Sequence, residues 1–477
     1  MVLVLTMVVL QSISFANYAL TTKTTNIIYG SAPYLTFDGG RTRVTNTEAL
    51  LGISLSDGRK FTPATSNSRD NPIVLPVAGQ SFNDIGMLVP TDTDSIALSS
   101  LIGTPYNYWG DDDGDGQGID GITATGSLNL SIVDKGNNRV ARNEVLTICK
   151  APYKLTLSNT EGRLTTRYGV PNESHFSASN ATYYINPKAA PAVCGITPSL
   201  LRGYPFDQGE WRKGLSTDVF NYDSFRPQSF TPSSYGLNFP TTGANNLYFY
   251  LDIGGSNQAL SWAPVSHGGI TATMTDSTRT SVRVTLKGPV ARKSKTNPGG
   301  VNKPSLPQSF ELVGRDSSGN AVVKYGFVLK QWFISYYHVN SLTTDVPFAD
   351  VSSWCYRTGY RLPKVRDLTN ASSCSRSCGG RYGNGYINEF PGGATPSSPD
   401  TYLRRHIGGG LFSEWGRMGD YLDSNFGGYL TSRAYYSGEL TNDGTHVFSV
   451  VSPEGQTNAI LRSSTTPGYN SFLCTYP

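Results

Sequence analysis

Trp354-Cys355-Tyr356-Arg357-Thr358-Gly359-Tyr360-Arg361-Leu362-Pro363 is the stretch whose reading decides the fold. Phe348, Val351, Trp354 and Cys355 recur at helical spacing, so a short helix with one apolar face is expected to end here. Gly359 supplies the stop, because glycine enters the left-handed backbone of a helix C-terminus without steric cost. Arg361-Leu362-Pro363 then turns the chain into a second segment, Lys364 to Asn370, with apolar Val365 and Leu368 three apart. The chain closes on Ser471-Phe472-Leu473-Cys474-Thr475-Tyr476-Pro477, a strand-like ending with its own cysteine. A helix cysteine joined to one on the final strand would staple the two ends of a compact α+β domain.

Working outward from that domain, 477 residues are too many for one core, and a few domains are expected. Charged residues make up only 16% of the chain, whereas Gly (51), Pro (28) and Tyr (28) are abundant. Helices favour Ala, Leu, Glu and Lys on their outer faces, so this mixture points to strands and turns: a mostly β, surface-exposed protein. The formal net charge of +4, from 39 basic and 35 acidic residues, is nearly balanced. No Lys/Arg run is interleaved with aromatics, so no nucleic-acid partner is expected.

Ala49–Ser56 followed by Asp57-Gly58 reads as a strand entering a hairpin. Gly126–Val133 alternates like a half-buried strand and turns at Asp134–Asn138. Such runs give a β-sandwich over 26–200. Asn246–Ile253, Ile270–Met274, Ser281–Leu286 and a hairpin from Ser309 to Phe333 turned at Asp316–Gly319 give an immunoglobulin-like β domain over 201–335. Residues 336–477 form the α+β end. Residues 1–25 are either a signal peptide, with Ser14-Phe15-Ala16 as its small-x-small site, or a residual strand of a preceding domain. No later run approaches the ~20 apolar residues of a membrane-spanning helix.

The cysteines are Cys149, Cys194, Cys355, Cys374, Cys378 and Cys474. None sits in a zinc-type Cys-x-x-Cys pair, and disulfides formed in an oxidising compartment are expected. Several connectivities fit six cysteines. The expected set joins Cys149 to Cys194, Cys355 to Cys474, and Cys374 to Cys378 as a loop clip.

Trp109-Gly110-Asp111-Asp112-Asp113-Gly114-Asp115-Gly116 places three carboxylates at alternate positions ahead of a glycine turn, a spacing that can converge oxygens on a hard cation. Asp111, Asp113 and Asp115, with Asp120 standing in for the missing bidentate Glu, are candidate ligands of a structural calcium. The bland alternative is an acidic surface turn. No other cofactor is expected.

Catalytic signatures are thin. The five histidines are scattered, outside any His-Glu-x-x-His or Gly-x-Ser-x-Gly setting. Glu414 and Asp420 read as solvated charges, and no catalytic residue is assigned. In contrast, Arg381, Tyr382, Tyr386, Arg404, Arg405, Arg417 and Tyr421 crowd a Gly-rich loop region. Tyr and Arg are residue types that anchor protein interfaces, so these seven are expected to face a partner, with Trp354 and Trp415 in the core.

The layout of the last third resembles a C-type-lectin-like domain. Longer runs resemble the C-terminal adhesion region of enterobacterial invasin/intimin-like adhesins, the invasin E-type adhesion domain. They are Gly30–Gly40, Tyr106–Asp115 (YNYWGDDDGD), Ala178–Cys194, Thr231–Leu247, Phe310–Phe333 and Cys474–Pro477. The resemblance implies an outer-membrane-displayed, extracellular adhesin tip that binds a host-cell surface protein or glycan, with the lectin-like end doing the binding. Sugar-binding C-type lectins carry a Glu-Pro-Asn or Gln-Pro-Asp loop and a Trp-Asn-Asp strand, and this chain has neither. It also shows no β-barrel or repeat stalk ahead of the adhesion region. It is therefore expected to be a fragment, a split gene product, or displayed by a partner. The rival readings are a carbohydrate-binding module and, more distantly, a secreted hydrolase.

Overall fold

The computed structural model describes residues 29–44, 47–116, 121–198, 213–221, 223–292, 294, 296–337, 347–372, 389–399, 401–421, 423–426, 433–452, 455, 457–463 and 471–477. The architecture is mostly β, in several sheets, with short helices in the last third. Two compact units divide the chain: one reaches Leu146 and resumes over Lys150–Lys188, and the other takes Thr147–Cys149 with Ala189–Pro477.

In the first unit a five-stranded sheet runs in the order Ile73–Val74, Ser179–Asn186, Tyr153–Asn159, Ser127–Val133, Ser95–Ala97. The unit also holds a three-stranded sheet of Glu173–Phe176, Gly162–Thr166 and Ile122–Thr125. Leu128, Leu155 and Leu157 from the first sheet share one core with Leu164 and Phe176 from the second. Tyr153–Asn159 buries every other residue, as a strand with one solvated face does. The expected strand Ala49–Ser56 is shorter than its apolar run. Ala49–Leu51 is a 3₁₀ turn that buries Leu50 and Leu51, and only Ile53–Ser54 pairs with Lys60–Phe61. The turn between them holds Gly58 at φ +87°, as the Asp57-Gly58 signal predicts.

The second unit begins with an immunoglobulin-like pair of sheets. Seven strands lie in the order Phe220–Asn221, Ser224–Phe225, Ala192–Pro198, Tyr248–Gly254, Ser281–Lys287, Ile270–Thr275, Val265–His267. Ser261–Trp262, Gln308–Arg315 and Ala321–Leu329 form the other sheet. The chain enters this unit ahead of the expected boundary at 200, because Ala192–Pro198 is hydrogen-bonded along Tyr248–Gly254. The Cys149–Cys194 disulfide therefore lies inside the second unit.

The run Ala321–Phe333 is not one strand. It breaks at Lys330, whose N–H donates to the Thr241 carbonyl. Gln331–Tyr337 then leaves the sandwich and pairs in parallel with Thr242–Ala244 and antiparallel with Ser471–Tyr476, the end of the chain. The helix Phe348–Thr358 buries Phe348, Val351, Trp354 and Cys355 and stops at Gly359, φ +82°. Cys355 is bonded to Cys474 on the final strand, so the expected staple is present. Helices Val365–Leu368 and Leu411–Trp415 and a sheet of Arg433–Leu440, His446–Ser452 and Thr457–Leu461 complete this α+β end. One continuous core runs from Val193 in the sandwich to Cys474. Among the described residues, no helix is long and apolar enough to cross a membrane.

Candidate functional site

The residues expected to face a partner fall into three groups. Arg381, Tyr382 and Tyr386 lie outside the described residues, as do Cys374 and Cys378. Arg417 is half-buried, 3.7 Å from Asp420. Arg404, Arg405 and Tyr421 are 7%, 5% and 0% exposed, and here the structure corrects the expectation: they do not reach the surface. Arg405 and Tyr421 build the joint between the sandwich and the α+β end, while the Arg404 backbone is held within that end by Asn370 and Ser413. The Arg405 guanidinium lies over the rings of Phe220 (5.1 Å) and Phe225 (5.4 Å), and its backbone N–H donates to the Lys213 carbonyl. The Tyr421 ring packs 5.3 Å from Tyr248 and 5.8 Å from Trp415, and its hydroxyl donates to the Trp415 carbonyl. Arg and Tyr are interface formers here, but the interface lies within the chain.

Glu414 occupies the centre of that joint. Expected to be solvated, it is 0% exposed. A buried carboxylate is tolerated only when its oxygens are fully hydrogen-bonded, and this one is. Oε1 accepts from the Thr241 hydroxyl (2.7 Å), the Thr241 N–H (3.0 Å) and the Gly408 N–H (2.9 Å). Oε2 accepts from the Thr242 hydroxyl (2.6 Å) and N–H (2.9 Å). Trp415, the next residue, donates its indole N–H to the Thr242 carbonyl. Burial first, and then the Glu414 charge, push the Tyr325 hydroxyl well above its ordinary pKa. The short helix Leu411–Trp415 thus plugs into the turn where the sandwich gives rise to Thr242–Ala244.

A second fastening crosses the same boundary. The loop after Lys287 lies along the stapled helix, where the Trp354 indole donates to the Ser294 carbonyl, Arg357 to Thr296 and the Tyr360 hydroxyl to Asn302.

In the first unit, Asp111, Asp113 and Asp115 converge, each offering an oxygen within 4.8 Å of the others; Asp120 lies outside the described residues. Asp113 accepts from the Ser31 N–H (2.6 Å) and Asp111 from the Gly116 N–H (2.8 Å). Asp111 Oδ1 and both Asp115 oxygens are buried with no hydrogen-bond partner. Burial first, reinforced by the neighbouring Asp113 and Asp111 charges, raises the Asp115 pKa. Unpartnered oxygens on Asp111 and Asp115, with the Asp113 carboxylate converging beside them, suit a hard divalent cation. Asp112, between them, is engaged elsewhere, with Arg43 and the Tyr34 hydroxyl.

No family model and no curated protein matches the chain. Among solved structures it is similar to the C-terminal 282-residue fragment of intimin in complex with the intimin-binding domain of the translocated intimin receptor. That likeness has 11% identity over 76% of this chain and 95% of that one, with a TM-score of 0.31. An EHEC O157:H7 intimin mutant gives 12% identity over 54% of this chain and 93% of that one, TM-score 0.27. The Bacteroides ovatus protein SGBP-B, in complex with a mixed-linkage heptasaccharide, gives 14% over 46% and 64%, TM-score 0.13. Scores this low carry no argument, and the fold rests on the strand pairing described above.

Proposed function

We propose that this protein is the non-enzymatic binding tip of a bacterial cell-surface adhesin, displayed outside the cell and engaging a host-cell surface protein or glycan. The observation that carries the proposal is the joint. A loop-rich α+β end is fused to an immunoglobulin-like sandwich through a shared core, a shared sheet and the buried Glu414. Such a fusion holds a recognition end at a fixed angle on its support, which is what a load-bearing tip requires. The sequence resemblance to invasin/intimin-like adhesion regions supports the same reading. In this account Asp111, Asp113 and Asp115 hold a structural calcium that ties their loop to the Gly30–Ser31 segment.

The test is binding of the fluorescent full-length chain to epithelial cells pre-treated with trypsin or with glycosidases. Saturable binding lost after trypsin identifies a protein receptor. Binding lost only after glycosidase favours the carbohydrate-binding reading, and no saturable binding to any cell refutes the adhesin.

A further inference from the structure

A crevice of about 550 Å³ opens where the edge of the sandwich meets the loop that straps the stapled helix, with Gly269, Thr271, Lys287, Gly288, Gly300 and Lys303 on its walls. Between Lys287 and Lys303 the sequence carries five basic residues, Lys287, Arg292, Lys293, Lys295 and Lys303, and no acidic one. Lys287, Arg292 and Lys303 are exposed. No Asp or Glu lines the crevice. Lys287 is steadied by the Asn246 side-chain carbonyl (2.7 Å), and Lys303 sits 5.5 Å from the centre of the Tyr476 ring. Among the described residues neither lysine makes a salt bridge to a carboxylate, so both charges remain available to a ligand.

We infer that this crevice is a binding site for an acidic oligosaccharide, one bearing sulfate or carboxylate groups. Three features select that class. The walls set Lys287, Lys303, Thr271 and Asn302 among glycines, prolines and two valines, a more polar lining than that of most small-molecule pockets. Nucleic-acid grooves interleave basic residues with aromatic stacking platforms, and no aromatic lines this crevice. Lysine is a compact point charge that serves sulfate and carboxylate without the bidentate geometry arginine imposes. The strap is also preorganised, because its carbonyls at Ser294, Thr296 and Asn302 are held by the stapled helix and the residues after it, so an anion need not order the loop on arrival.

The experiment measures binding of a heparin octasaccharide to the full-length chain. Desulfated heparin, neutral dextran and an oligo-dT of equal charge serve as comparisons. The variants are Lys287→Gln/Lys303→Gln and, separately, Asn302→Glu, which adds a negative charge at an exposed rim position without removing a cation. The account predicts saturable octasaccharide binding that weakens with salt. The double variant should bind about fivefold more weakly or worse, from the loss of two exposed charges. Asn302→Glu should show a loss in the same direction, and the unmodified chain should bind neutral dextran poorly and desulfated heparin, which keeps only its carboxylates, more weakly than heparin. Equal binding to oligo-dT, or octasaccharide affinity unchanged in both variants, overturns it. Failure here with intact cell binding leaves the adhesin proposal standing, and the converse result leaves this site standing.

Discussion

Replacing Glu414 tests the joint directly. The carboxylate accepts from three backbone N–H groups, at Thr241, Thr242 and Gly408, and from two hydroxyls; Glu414, Thr241 and Thr242 are buried, and Gly408 is exposed. In Glu414→Ala the hydroxyls can rotate toward other acceptors and the Gly408 N–H can turn to water, but the Thr241 and Thr242 N–H groups cannot. At ~1–3 kcal/mol for each buried unpaired donor, the loss is at least about 2 kcal/mol. Glu414→Gln keeps the volume and one acceptor oxygen while its amide group faces an N–H donor, so one donor is stranded and the loss is about 1–3 kcal/mol. Guanidinium unfolding followed by tryptophan fluorescence reads mainly this unit, because Trp262, Trp332, Trp354 and Trp415 belong to it, and Trp109→Phe removes the first unit's contribution. The order expected is wild type, then Gln, then Ala. A loss below about 1 kcal/mol in the Ala variant would refute the reasoning, since it would mean the donors find other partners.

Arg405→Ala should lower the stability of the second unit by removing a guanidinium packed on Phe220 and Phe225, about 1–2 kcal/mol for a desolvated cation–π contact with its packing; a stable variant with selectively weaker cell binding would put Arg405 back among contact residues. Cys355→Ser opens the bond that ties the helix to the final strand and should cost about 2–5 kcal/mol, read as an earlier unfolding midpoint of the second unit alone. Asp115 offers a pH test. Its folded pKa is raised above the ordinary 3.8, so the folded state holds the proton more tightly, and stability is lost as pH rises through that range. Without calcium, Asp115→Asn should therefore melt later than wild type at neutral pH, and the difference should vanish in acid. Calcium should raise the wild-type melting temperature more than that of the variant, and equal shifts would exclude the site.

What was legible in the sequence is what local geometry decides. The Phe348–Gly359 helix, its αL stop and the Asp316–Gly319 hairpin each depend on residues a few positions apart, and each is where the spacing puts it. The same holds for the convergence of Asp111, Asp113 and Asp115. What could not be read depends on distant partners. Lys330 breaks a run of strand-forming residues because Thr241 and the final strand offer a different sheet. Nothing beside Glu414 distinguishes it from a surface acid, since Thr241 and Thr242 are 173 and 172 residues away. The faint signal was the adjacent Trp415 inside a Gly-bounded apolar turn, a poor place for a solvated charge. Arg404, Arg405 and Tyr421 show the limit of residue type: composition marks an interface former without saying whether the partner is another molecule or another part of the chain.

The most direct measurement of the central claim is saturation binding of the full-length chain to epithelial cells, wild type against Glu414→Ala, at a temperature where the variant remains folded by near-UV circular dichroism. A tip that works because its recognition end is held rigidly on the sandwich predicts saturable wild-type binding and a clear loss of affinity in the variant. Undiminished binding by the variant would contradict the role of the joint, and absence of saturable binding by the wild type would contradict the adhesin itself.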